Sequence, residues 1–345
     1  MCRRSYLWTG RAFPSRSLGS VWRGSLAVLV LATTIHAQQP IRIWGDTDMG
    51  AILTIWEAAY QQQHPEARFD NHLLGTDTAI PALYGGLADI ALLGREPNQT
   101  EHDGFLHSKQ YEPLRIKITR GALDAPGHSY APAVFVSKGN PLQHLTLTQL
   151  ALAFGCSRLH PPARRWADLG LNGAWAHRPL HLYTFDMESG PGGFVLTRIE
   201  GPSRKMNWAA VREFQDIERP DGTLLSVGEQ TMKALLADPD GLAISGLRYA
   251  EPDHFTHVKA VSLAANALGP YVSPTRDTII KATYPLTRTT YAFADKPPGK
   301  RLRTDVRDFL RFLLGAEAQQ RLLSSQPNFL PLSPADAGIE RSKLP

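Results

Sequence analysis

The sequence predicts an α/β protein in two domains. Two observations carry that reading. Between residues 41 and 93 the chain repeats one order: a short apolar strand, a glycine-bearing loop, a helix, a further strand. Such alternation builds parallel pairing with helices packed on the sheet. The 308 residues after residue 37 have an ordinary globular balance of apolar and charged side chains, and a chain of that length usually divides into two domains.

The first 37 residues read separately. They hold five arginines (Arg3, Arg4, Arg11, Arg16, Arg23) and no Lys, Asp or Glu. The apolar run at 25–35 is too short for a bilayer, which needs about twenty residues, and it leads into Ile35-His36-Ala37, with a cleavage point expected after Ala37. This is the build of a signal peptide over 1–37, so a periplasmic or secreted protein is expected. Beyond it, 32 Lys+Arg balance 32 Asp+Glu, which gives no electrostatic footprint for nucleic acid. Cys2 leaves with the signal, and Cys156 alone makes no intrachain disulfide.

The elements follow in order. Ile41 to Trp44 alternate as a strand ending at Gly45, and residues 50–63 form a helix with Ile52, Ile55, Trp56 and Ala59 on one face. His64-Pro65 stops it. Phe69 to Leu74 is a strand, 79–86 a helix, and Asp89 to Leu93 a buried strand. Ala133 to Ser137 is a strand, Thr146 to Phe154 a capped helix, and 157–181 an irregular stretch rich in Pro, Arg and Trp. Leu180 to Phe185 is a strand, 229–237 a helix, Gly241 to Gly246 a strand, and Tyr291 to Phe293 lies in another. Asp305 to Leu314 is an amphipathic helix with Val306, Phe309, Leu310 and Leu313 inward.

Three loops share one design: Gly45 to Gly50, Gly75 to Ala79, and Ser189 to Gly193. Each follows a strand and leads into a helix. The first amides of a helix lack intrahelical partners and sit at the positive end of its dipole. Glycine admits a ligand to the backbone, and Ser or Thr adds a hydroxyl, so such ends bind oxyanions. Ordinary capping by Asp46, Thr47, Thr76 or Ser189 is the simpler role for any one loop taken alone.

Gly75-Thr76-Asp77-Thr78-Ala79-Ile80, with Leu87-Ala88-Asp89-Ile90-Ala91 and Arg95, resembles the periplasmic phosphate-binding proteins of ABC transporters, a branch of the type II solute-binding fold. So do Asn140-Pro141-Leu142, Trp166 to Gly170, Ser189-Gly190 before Phe194, Gly241 to Gly246 with Tyr249-Ala250, Tyr284-Pro285-Leu286-Thr287-Arg288, and Gln319 with Phe329-Leu330-Pro331-Leu332. The resemblance implies a two-lobed periplasmic binding protein-like α/β fold with two chain crossings. One lobe holds 41–131 and 284–345, the other 132–283. It implies a phosphate or similar small anion bound by Thr47, Asp48, Thr76, Thr78, Arg95, Ser189 and Gly190, with Arg95 as countercharge and Arg288 the other candidate. It further implies a monomer without cofactor, a permease partner, and no enzymatic activity.

The departures fall at the same loops. Phe185 stands where the family has an arginine, Pro191 where it has a threonine, and Gly94 where a serine or aspartate is usual. Proline also removes one backbone donor. Hydrogen bonds to a charged group are worth about 1.5–3 kcal/mol each, and Asp46, Asp48, Asp77 and Glu188 add negative charge nearby. Two other functions stay open: a sensor or interaction module on the same fold, and a secreted hydrolase. The hydrolase would use Ser189, which lacks flanking glycines because Met187 and Pro191 stand there, or a His pair, His177/His181 or His254/His257, which are expected to be solvated.

Overall fold

The computed structural model describes residues 39–123, 131–156, 161–187, 189–200, 206–250, 256–324 and 328–345. The signal segment, Glu188 and His254 lie outside them. In chain order the first elements are β1 (Ile41–Gly45), α1 (Gly50–Gln63), β2 (Phe69–His72), α2 (Thr76–Tyr84), β3 (Ile90–Leu93), α3 (Gln99–Lys109) and β4 (Leu114–Arg120). Then come β5 (Pro132–Ser137), β6 (His144–Thr146), α4 (Leu147–Phe154), β7 (His181–Phe185), α5 (Gly190–Glu200), β8 (Val211–Phe214), β9 (Ile217–Glu218), β10 (Leu224–Leu225), α6 (Val227–Ala237) and β11 (Gly241–Gly246). The chain ends with β12 (Val258–Ala260), β13 (Ser262–Ala264), α7 (Arg276–Ile280), β14 (Thr289–Ala294), α8 (Thr304–Leu313), α9 (Ala316–Ser324) and α10 (Pro334–Ser342).

Two five-stranded sheets result, in the orders β2-β1-β3-β14-β4 and β12-β5-β11-β7-β8. The chain passes from the first sheet to the second after β4 and returns before β14. The first sheet is mixed, not parallel throughout. β1 pairs in parallel with β2 and β3, but β14 runs antiparallel to both β3 and β4. The reason is topological: β14 re-enters the first sheet from the far lobe and arrives in the opposite sense.

Period-two alternation splits the first sheet between two cores. Ile90 and Leu92 pack with Trp56, Phe309 and Leu310 on one face, while Ala91 and Leu93 pack with Ile80, Leu83 and Phe105 on the other. A strand buried on both faces reads as a continuous apolar run, as Ile90–Leu93 does. α8 buries Val306, Phe309, Leu310 and Leu313, the four residues its periodicity selects. Trp56 is fully enclosed, and its indole N–H donates to the Ala318 carbonyl at 3.0 Å. Full burial of such a side chain contributes about 1.5–3 kcal/mol. The second sheet has its own core around Phe135, Phe154, Trp166 and Ile244.

Some boundaries move. α2 begins at Thr76, three residues before the expected 79. Its N-cap Gly75 has φ 111°, which glycine alone adopts without strain. The 157–181 stretch contains two 3-10 turns, Trp166–Leu169 and Gly173–Trp175. Thr146 caps α4 through a reciprocal pair with Gln149, as expected. Elements without a sequence expectation include α3, β4, β8, α9 and α10.

Glu57 on α1 is partly buried beside Asn71, whose amide donates to it at 2.8 Å. Burial pushes its carboxyl up to about 7, opposed by that hydrogen bond. The folded state therefore holds a proton that the unfolded chain releases, and stability falls as pH rises from about 4.5 to 7. Glu57→Gln is expected to stabilise the fold at pH 8 by about 1–2 kcal/mol, after allowance for solvent screening. It should change stability little at pH 4. Urea unfolding at the two pH values checks this, and an equal effect at both would refute it.

Candidate functional site

The site is built around Arg288, one residue before β14, where the chain re-enters the first lobe. Its side chain is fully buried. Its Nε donates to the Gly94 carbonyl at 2.5 Å, and its Nη2 lies 3.9 Å from Asp46 Oδ2. Asp46 ends the β1 loop and is itself 6% exposed. Desolvation pulls the Arg288 pKa down, and the charges of Asp46 and then Asp48 push it back.

Glycine makes the room. A Cβ at Gly94 would collide with Arg288 Nη2 and stand 2.9 Å from Asp46 Oδ2. A Cβ at Gly190, the first residue of α5 in the other lobe, would lie 3.0 Å from the same Nη2 and 3.8 Å from Asp46 Oδ2. The first loop, the end of β3 and the start of α5 therefore meet on one guanidinium. The departure from serine or aspartate at residue 94 has a physical account: the arginine occupies that volume.

The other loop residues are held as follows. Asp46 Oδ1 accepts from the Asp48 N–H at 3.1 Å, which caps a 3-10 turn over Thr47–Met49. Thr47 Oγ1 donates to the Leu73 carbonyl at 3.2 Å, and the Gly75 N–H donates to the Gly45 carbonyl at 3.0 Å, so the first two loops are tied together. Thr78 Oγ1 donates to the Gly75 carbonyl at 2.8 Å. α2 has no side-chain cap, which leaves its first amides and the half-buried Thr76 at the loop surface. Ser189 Oγ donates to the Asp186 carbonyl at 2.5 Å and accepts from the Gly192 N–H at 3.2 Å. It serves as the cap of α5. Pro191 sits at the second helical position, where a missing N–H costs no intrahelical bond.

Arg95 is placed differently from the expectation. It borders a cavity lined by both lobes, but its charge is already paired. Its two Nη atoms take both oxygens of Glu101 at 2.6 and 2.9 Å, and Nη2 also holds Asp77 at 2.5 Å. Glu101 closes the capping box of α3 with Asn98. The charge of Arg95 is thus spent within the first lobe, joining α2 to α3. Phe185, in the family's arginine position, is 3% exposed and part of the second lobe's core. Arg288, the other candidate, is fully buried.

Among the described residues, no group of three or more His, Cys, Asp and Glu side chains is arranged to hold a metal. His181 pairs with Asp238 at 2.7 Å at the surface. No described helix is long and apolar enough to cross a membrane.

A PBP superfamily domain model matches residues 32–317. The chain is 27% identical over 304 residues to the phosphate-binding protein PstS of Pseudomonas aeruginosa, covering 87% of this chain and 86% of that protein. Two solved structures share the fold. PstS from Borrelia burgdorferi has a TM-score of 0.62 at 15% identity, over 86% of this chain and all of that one. An ABC-type phosphate transport receptor from Vibrio cholerae has a TM-score of 0.58 at 17% identity, over 85% of this chain and all of that one.

Arg288 and the residue-94 backbone should be energetically coupled. Gly94→Ala is expected to cost about 1–3 kcal/mol through overpacking. In an Arg288→Ala background the same change should cost less, because the guanidinium is gone and only Asp46 Oδ2 still crowds the Cβ. Denaturant unfolding of both single variants and the double variant measures this coupling. Additive effects would show that Gly94 and Arg288 do not share space.

Proposed function

The chain belongs to the PBP superfamily, and from that premise we propose that it captures phosphate or a related tetrahedral oxyanion between its two lobes. It is a receptor, not an enzyme. The observation that carries this reading is the buried Arg288 between Asp46 of one lobe and Gly190, at the start of α5, of the other. One fixed cation, one carboxylate and a helix N-terminus face each other there. The name of the P. aeruginosa relative supports phosphate as the ligand.

In this reading Arg288 supplies the charge that the family's arginine supplies from the position of Phe185. Ser189 and Gly190 offer the amide end of α5, while Thr47 and Thr76 add hydroxyls from the first lobe. Asp48 and Thr78 shape the two loops through Asp46 and Gly75. Asp46 sets the selectivity. A carboxylate repels a fully ionised anion but accepts a hydrogen bond from a protonated one, so hydrogenphosphate is favoured over sulfate. Because Arg288 is fully enclosed, the anion enters only when the lobes part, and closure about the crossings traps it.

The lobes are assigned as 41–131 with 284–345, and 132–283. Residues 1–37 act as an export signal, and the mature protein works outside the cytoplasm as a monomer that delivers its anion to a transporter permease. The hydrolase alternative is weakened because Ser189 directs its proton to a backbone carbonyl and caps a helix.

Calorimetric titration with phosphate, sulfate and molybdate tests the proposal. Saturable phosphate binding is expected, reduced at least 100-fold by Arg288→Ala and little changed by Arg95→Lys. Asp46→Asn should narrow the preference for phosphate over sulfate. Absence of heat with all three anions would reject the oxyanion reading and favour a protein partner.

A further inference from the structure

A cavity of about 350 Å³ lies between the two lobes, walled by Lys117 and Arg120 of β4, Arg95 and Glu96 after β3, and Arg198 of α5. Its volume is within the range of small-molecule sites, about 300–1,000 Å³, and exceeds what one tetrahedral oxyanion fills.

The charge balance of its walls is uneven. Arg95 is neutralised by Glu101 and Asp77, and Arg120 is held by Thr289 at 2.8 Å and Asp336 at 2.6 Å. Glu96, an acid of the lining, is bound by Arg115 through both oxygens at 3.0 Å. Two cations are left over. The Lys117 ammonium makes no hydrogen bond or ion pair among the described residues; its backbone N–H alone meets Glu340, whose carboxylate pairs with Lys343. Arg198 donates through Nε to the Pro285 carbonyl at 2.9 Å, and neither of its Nη atoms has a protein partner among the described residues. The Nε of Arg120, 2% exposed, also lacks a hydrogen bond among them.

Lys117 belongs to the first lobe and Arg198 to the second. Two cations without an ion pair among the described residues, one from each lobe, line this cavity and match a ligand with two acidic groups. We propose that this cavity binds a small polyanion with two separated charges, a class that includes pyrophosphate, phosphoglycerate and citrate. It is distinct from the Arg288 site and does not depend on what that site binds. Charge-assisted hydrogen bonds from Lys117 and Arg198 supply the affinity, and partial exposure makes it sensitive to salt.

The test is titration of the purified protein with pyrophosphate, 3-phosphoglycerate and citrate, each with and without saturating orthophosphate. At least one is expected to bind at one per chain, unaffected by orthophosphate and weakened as ionic strength rises. Lys117→Gln and Arg198→Gln should each weaken it at least tenfold. Neither side chain makes an ion pair among the described residues, and Lys117→Gln, which breaks no side-chain hydrogen bond among them, is expected to keep the wild-type thermal midpoint. No binding by any of the three at millimolar concentration, competition with orthophosphate, or unchanged affinity in both variants would each overturn the proposal. The responding anion identifies whether condensed phosphate, phospho-carboxylate or polycarboxylate is the preferred source.

Discussion

The buried contact of Arg288 with Asp46 is the constraint on which the cleft depends. Taking a guanidinium and a carboxylate out of water is expensive, and their attraction repays the cost only with good geometry and further hydrogen bonds. Here the pair is 3.9 Å apart, too long for a strong direct bond. Such a pair, with both partners in the first lobe, stabilises the fold only weakly in itself. Breaking it by removing one partner is another matter, because the remaining charge stays buried, at about 3–5 kcal/mol. The arrangement is therefore better explained by what it presents to an anion than by what it adds to stability.

The glycines follow from the arginine. Gly94 and Gly190 come from different lobes, yet each lacks a Cβ at the point where Arg288 Nη2 stands. Read one at a time, Phe185, Pro191 and Gly94 are losses: a cation, a donor, and a serine or aspartate. Read together with Arg288, two of them have a packing account. The guanidinium from the returning crossing stands where a side chain at residue 94 would. Phe185 is then free to fill the second lobe's core, and Pro191 occupies the one part of a helix where its missing N–H is cheap.

Much of the fold was legible because its strands and helices obey simple periodicity. Ile90–Leu93 announces a strand buried on both faces, and the α8 stripe names its four core residues in advance. The misses share a cause. α3 carries one strongly buried apolar side chain, Phe105, on an otherwise polar segment, so its helix rests on the Asn98–Glu101 capping box and not on a stripe. β4 alternates Leu114, Ile116 and Ile118 against charged neighbours and belongs to a sheet edge, where such a pattern is easily taken for surface. The parallel sheet was overstated because sequence order says nothing about the direction in which a strand returns from another lobe.

The site was less legible than the fold, and Arg95 shows why. A basic residue just past a strand end is well placed to line a cleft, and both Arg95 and Arg288 met that description. What separates them is the local supply of acids. Asp77 lies at the start of α2, and Glu101 is already oriented by its capping box, so Arg95 finds two preformed carboxylates within its own lobe. The acids near Arg288 in sequence are committed elsewhere, Asp277 to Lys281 and Asp295 to Lys109 and Tyr111, and Arg288 meets Asp46 through the tertiary fold. Which of two arginines serves a cleft is thus decided by competition among pairings, and that competition involves contacts spanning more than two hundred residues. A sequence names the competitors; the outcome depends on which carboxylates the fold has already committed.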